Sequence, residues 1–204
     1  MPLIYTKRDV KETYGFAHTK MTGYLGGAVL IVGAYLVNLV IAVGLTSLFP
    51  ESAGNVETVF EDIMSGNILA VFAVIALAPA VCEEMLFRGV IMHSLKAKYR
   101  VPSSIAITAA LFGLYHMSLV KFIPTGLLGL VLCLVVWKTG SIYPAMLMHF
   151  INNAISVFIS CYPEQVEKVL PVLYQDTLSV LEAMGLCGVG LVLMGIGWMI
   201  IKEV

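Results

Sequence analysis

The chain has 204 residues, of which 59% are hydrophobic and only 12% charged, and its mean hydropathy is +0.93. About a quarter of the residues in an ordinary soluble domain are charged, so a water-soluble globular fold is excluded and a polytopic membrane protein is implied. The formal net charge of -1, with no basic cluster, also excludes a nucleic-acid partner, and makes the lipid bilayer the first partner to expect.

In chain order, the first 21 residues are polar and mixed in charge and read as a cytoplasmic tail, with no cleavable signal peptide. A spanning helix needs about 20 mostly apolar residues. That measure gives six spans, at roughly 22–49, 67–98, 103–119, 122–138, 142–161 and 178–201. A polar, acidic loop separates the first two. Pro79 sits near the middle of the second span, where it should kink the helix and free a backbone carbonyl one turn earlier. The break between the third and fourth spans falls at Lys121 and is weakly marked. The segment 162–177 is amphipathic and reads as interfacial. The whole of 1–204 is one membrane-embedded domain, an all-α transmembrane bundle.

Orientation follows from the basic residues. Lys7, Arg8, Lys11, Lys20, Lys96, Lys98, Arg100, Lys138 and Lys202 fall on one side of a six-span chain, and only Lys121 and Lys168 on the other. Both termini are therefore expected in the cytoplasm, and the localisation expected is the plasma membrane of a prokaryote. Trp137 and Trp198, near span ends, read as interface anchors. Gly126, Gly129, Gly185, Gly188, Gly190, Gly195 and Gly197 read as close helix contacts. The four cysteines show no disulfide or metal spacing and read as small packing residues.

Against this background, "VCEEMLFRGV" puts Glu83, Glu84 and Arg88 inside a span. A charge at the bilayer centre costs about 2.5–3.5 kcal/mol, so these groups should face one another or a cavity. Glu84 and Arg88 are four apart and can pair along one helix face. Glu83 is turned about 100° from Glu84 and has no partner on its own helix. Two further spans carry polar groups to a similar depth, about halfway along: "FGLYH", ending in His116, and "HFINN", holding His149, Asn152 and Asn153. Phe112 with His116, and His149 with Asn153, again share a helix face at a spacing of four. A carboxylate without a partner, aided by a histidine, suits a general base for water. His149 and Asn153 suit donation to a developing oxyanion. Taken singly, each group has an ordinary reading: a structural ion pair, a core histidine next to Tyr115, an interhelical hydrogen bond. Asn152 reads as a neighbour of the site, and His18 and His93 belong to no motif.

The three stretches, EExxxR at 83–88, FxxxH at 112–116 and HxxxN at 149–153, occur in order on separate spans. Together they resemble the CAAX-protease and bacteriocin-processing family, CPBP or Abi. The resemblance implies a membrane-embedded endopeptidase acting on a membrane-associated peptide or protein. It implies Glu83 as the base that activates water, assisted by His116, Glu84 and Arg88 as the supporting ion pair, and His149 with Asn153 as the oxyanion site, with Phe112 in support. No cofactor is expected. HExxH, the usual zinc helix motif, is missing, and the ligands left for zinc, if it binds, are Glu83, His116 and His149. Two other classes compete: a non-proteolytic immunity or scaffold protein that keeps the fold, and a transporter subunit that uses the buried carboxylates as proton carriers.

Overall fold

The computed structural model describes residues 14–49, 67–174 and 177–202. The acidic loop at 50–66, the basic residues Lys7, Arg8 and Lys11, and Asp176 lie outside them. The described residues form seven helices: α1 (Met21–Leu48), α2 (Ile68–Lys96), α3 (Val101–Tyr115), α4 (Leu119–Thr139), α5 (Tyr143–Cys161), the short α6 (Pro163–Val169) and α7 (Val180–Ile200). Six of them stand where spans are expected, and α6, followed by a 3-10 turn at Pro171–Tyr174, occupies the predicted interfacial segment. Five are long and apolar enough to cross a membrane. The exception is α3: its 15 residues rise only about 22 Å, against a hydrocarbon core of about 30 Å.

Helix ends follow local chemistry. Asn67 caps α2 by accepting from the Leu69 amide. Proline occupies the first turn of α3 and α5, where its missing N–H costs nothing. Ser179 and Glu182 cap the start of α7 reciprocally. Gly140, at φ 64°, closes α4 in a left-handed conformation. The third-to-fourth break differs from expectation. The turn is His116–Ser118, Ser118 caps α4 by accepting from the Lys121 amide, and Lys121 lies in the first helical turn. In the interior, Asn38 of α1 is satisfied by donating to the Pro124 carbonyl of α4 at 3.1 Å.

The core joins Leu30, Ile31 and Ala34 of α1 to Phe87, Phe112, Leu128, Leu132, Val135, Ala145 and Met148 of α2 to α5. Helix α7 packs chiefly on α1, through Gly190 and Gly197 against Gly33 and Gly26. A Cβ on Gly197 would lie 2.6 Å from the Gly26 carbonyl, and one on Gly26 2.7 Å from the Gly197 carbonyl. Gly126 and Gly129 likewise lie against α3. The expectation fails for Gly185, Gly188 and Gly195, which face no neighbouring atom within 4 Å.

The N-terminal stretch is more than a polar tail. The Gly15 carbonyl accepts from the Ile142 amide at 2.9 Å, Phe16 packs on the core, and Tyr14 and Tyr143 meet His93 and His18. At the same end Lys138 lies 4.1 Å over the Trp198 ring and donates to the Trp198 carbonyl. These contacts gather the starts of α1 and α5 and the ends of α2, α4 and α7. Lys20, Lys96, Lys98, Arg100, Lys138 and Lys202 therefore share one end of the bundle, as the basic-residue pattern predicts.

Candidate active site

The site begins with the winding of α2. Its α-helical centre, Ala78–Glu84, is flanked by π-helical stretches at Phe72–Leu77 and Met85–Met92. Wider turns of this kind recur at functional sites because they re-aim side chains that a regular helix would direct elsewhere. Glu83 and Glu84 sit at the end of the central segment.

Glu84 is fully buried, and its Oε1 accepts two hydrogen bonds, from Arg88 Nη1 at 2.7 Å and from His149 Nδ1 at 2.8 Å. The i,i+4 pair is as expected, and the sequence gives no sign of the histidine contact. Arg88 extends the network: Nη2 donates to the Gly129 carbonyl of α4 at 2.9 Å, and the guanidinium lies 4.5 Å from the Phe112 ring centre. Four helices, α2 to α5, are thus joined through one ion pair. Such a pair repays its desolvation more fully as further hydrogen bonds satisfy it; here each partner makes one, while Arg88 Nε and Glu84 Oε2 are buried without any.

Phe112 is more central than a supporting residue. It is fully buried, offers a face to Arg88, and meets the rings of Phe87, His116 and His149 at 5.0, 5.1 and 5.8 Å. Aromatic rings attract cations over the face and polarised hydrogens at near-perpendicular contacts.

His116 stands at the C-terminal end of α3 rather than halfway along it. Its Nδ1 lies 2.9 Å from the Phe112 carbonyl, which can only accept, so Nδ1 carries the proton and Nε2 is the basic nitrogen. Met117, which follows, has φ 47°, a strained conformation for a residue other than glycine.

Glu83 is set apart from these bonds. Its Oε2 is buried and has no hydrogen-bond partner among the described residues, and it lies 3.9 Å from His149 Nε2. His149, His116, Glu84 and Arg88 all act on it electrostatically. His149 therefore faces Glu84 with one nitrogen and Glu83 with the other. The second oxygen of Glu84 is also buried without a partner, so two carboxylate oxygens are left unpaired in this one region.

Asn153 shares the α5 face of His149, as expected, and is anchored at both ends of its amide. Nδ2 donates to the Ile75 carbonyl of α2 at 3.2 Å, and Oδ1 accepts from Asn152 Nδ2 at 3.1 Å. Among the described residues no group of three His, Cys, Asp or Glu side chains gathers closely enough to hold a metal ion. Glu83, His116 and His149 form no such group.

Residues 65–155 match the family model described as type II CAAX prenyl endopeptidase, Rce1-like. No curated protein and no solved structure matches the chain. The matched stretch contains α2, α3, α4 and α5 as far as Ile155, and so every residue of the site. With its three motifs in order inside that stretch, this integral membrane protein is similar over residues 65–155 to the type II CAAX prenyl endopeptidases.

Proposed function

We propose that the chain is a glutamate-type intramembrane endopeptidase, in which Glu83 activates water for attack on a peptide bond at the membrane. The observation that carries the reading is the unpaired Glu83 Oε2, 3.9 Å from His149 Nε2, in the polar cluster where α2, α3 and α5 meet. A water bound there gives its proton to Glu83, aided by Nε2 of His116, as its oxygen attacks the scissile carbonyl. His149, with Nδ1–H held by Glu84, brings a second proton on Nε2 to the oxyanion, and Asn153 supplies an amide N–H. The tetrahedral intermediate collapses with loss of the amine, which takes the proton back from Glu83. Water and one peptide bond are consumed, and a carboxylate and an amine form, with no other reactant.

The substrate class proposed is a membrane-associated peptide or protein. A farnesylated peptide ending in a CAAX sequence is the first probe, because the matching family model is named for prenyl endopeptidases, and an unprenylated copy is its control. The test is Glu83→Gln, which keeps size and hydrogen bonding but removes the base. Cleavage should fall by at least about 100-fold with little change in the detergent melting temperature. Normal cleavage by this variant would overturn the assignment. Loss of folding instead would make the cluster structural and favour a scaffold.

A further inference from the structure

Pro79 and Asn152 have no place in the three motifs, yet both bear on Asn153. In a regular helix the amide of residue 79 would donate to the carbonyl of residue 75. Asn153 Nδ2 donates to that carbonyl at 3.2 Å, across 78 residues of sequence. The opposite end of the same amide accepts from Asn152 Nδ2 at 3.1 Å.

The Ile75 carbonyl decides which way the amide faces: with the amide turned over, its oxygen would confront a group that can only accept, and the contact would be repulsive. Asn152 then completes the arrangement by donating to the oxygen at the other end. The amide is therefore fixed with one N–H on Ile75 and the second N–H left over. The same bond ties α5 to α2 about two turns before Glu83, and so couples the orientation of the amide to the position of the glutamates. Ala78, next to the proline, donates to the Ala73 carbonyl in the wider, π-helical pattern, the winding that accompanies the missing Pro79 bond.

We infer that Pro79 and Asn152 are positioning residues that act through Asn153: Pro79 presents the Ile75 carbonyl, Asn152 holds the amide oxygen, and together they aim the remaining Asn153 N–H for catalysis. This rests on the proposed role of Asn153 in binding the oxyanion. Neither residue touches the substrate.

The experiment compares kcat and KM for the farnesylated CAAX peptide among Pro79→Ala, Asn152→Ala and Asn153→Ala, and in each double variant with Asn153→Ala. Alanine at 79 restores an N–H that competes for the Ile75 carbonyl. Each positioning variant should lower kcat about 10-fold with KM unchanged, below the 10²–10³ expected for losing an oxyanion donor itself. Neither should lower kcat further once Asn153 is alanine. Wild-type kcat in both Pro79→Ala and Asn152→Ala, or a loss that persists undiminished in the Asn153→Ala background, overturns the inference while the function stands. Wild-type kcat in Asn153→Ala overturns the oxyanion role, and the inference with it. Should Pro79→Ala not fold, the Asn152→Ala cycle decides alone.

Discussion

His149 bridges the two neighbouring glutamates of α2, with Nδ1 2.8 Å from Glu84 and Nε2 3.9 Å from Glu83. The two carboxylates thereby acquire different surroundings. Glu84 is fixed by a guanidinium and an imidazole, whereas Glu83 keeps an oxygen without a partner among the described residues.

Glu84→Gln is expected to unfold the site before it alters the chemistry. It would leave Arg88 buried without its counter-charge and His149 facing a neutral amide oxygen. Breaking one side of a buried pair costs about 3–5 kcal/mol. A marked fall in the detergent melting temperature should accompany the loss of cleavage. A variant as stable as the parent but inactive would exchange the roles of the two glutamates.

Met117→Gly should stabilise the protein. A residue other than glycine in the left-handed region costs about 1–3 kcal/mol, and the Met117 side chain is 93% exposed, so no packing is lost within the protein. Glycine returns part of that gain as chain entropy, leaving a net increase of about 1 kcal/mol. Gly140→Ala, at φ 64°, should move the melting temperature the other way. A destabilised Met117→Gly would mean that the side chain is held by something beyond the chain itself.

The glycines of α7 should divide into two groups. Gly197→Val drives a side chain into the backbone of α1 and should cost about 1–3 kcal/mol through overpacking. Gly188→Ala and Gly195→Ala meet no neighbour and should be neutral or stabilise by up to about 1 kcal/mol through helix propensity. Melting curves of the three variants check the division, and an equal loss in all three would refute it.

Metal analysis should find well under one zinc per purified chain, with cleavage retained in a strong chelator. The reasons are the missing two-histidine helix motif and the spacing of Glu83, His116 and His149, which do not gather as a ligand set. One zinc per chain, with activity lost on its removal and restored on its return, would make Glu83, His116 and His149 ligands instead.

The helices were legible because apolar runs of membrane length leave few alternatives, and the Glu84–Arg88 pair because its spacing lies within one helix. The Pro79 signal was legible only in half: the freed carbonyl could be placed at Ile75, but nothing local shows that Asn153, 78 residues later, would take it. The link between Glu84 and His149 was hidden for the same reason, since sequence spacing constrains one helix and is silent on how two helices meet. His116 stands at the end of its helix and not midway because the apolar run continues past the turn at Met117, where backbone conformation rather than hydropathy ends α3. Only some α7 glycines make close contacts, because a small residue permits close approach without requiring it.

Glu84 and Arg88 are neighbours on one helical turn, whereas His149 lies 65 residues further along. During synthesis α2 therefore enters the bilayer with its two opposite charges already matched, sparing the nascent segment much of the cost of carrying them singly. The histidine and asparagine follow only with α5. The order in which the ribosome releases the helices thus leaves the two glutamates without their α5 partners until most of the bundle is present to enclose them.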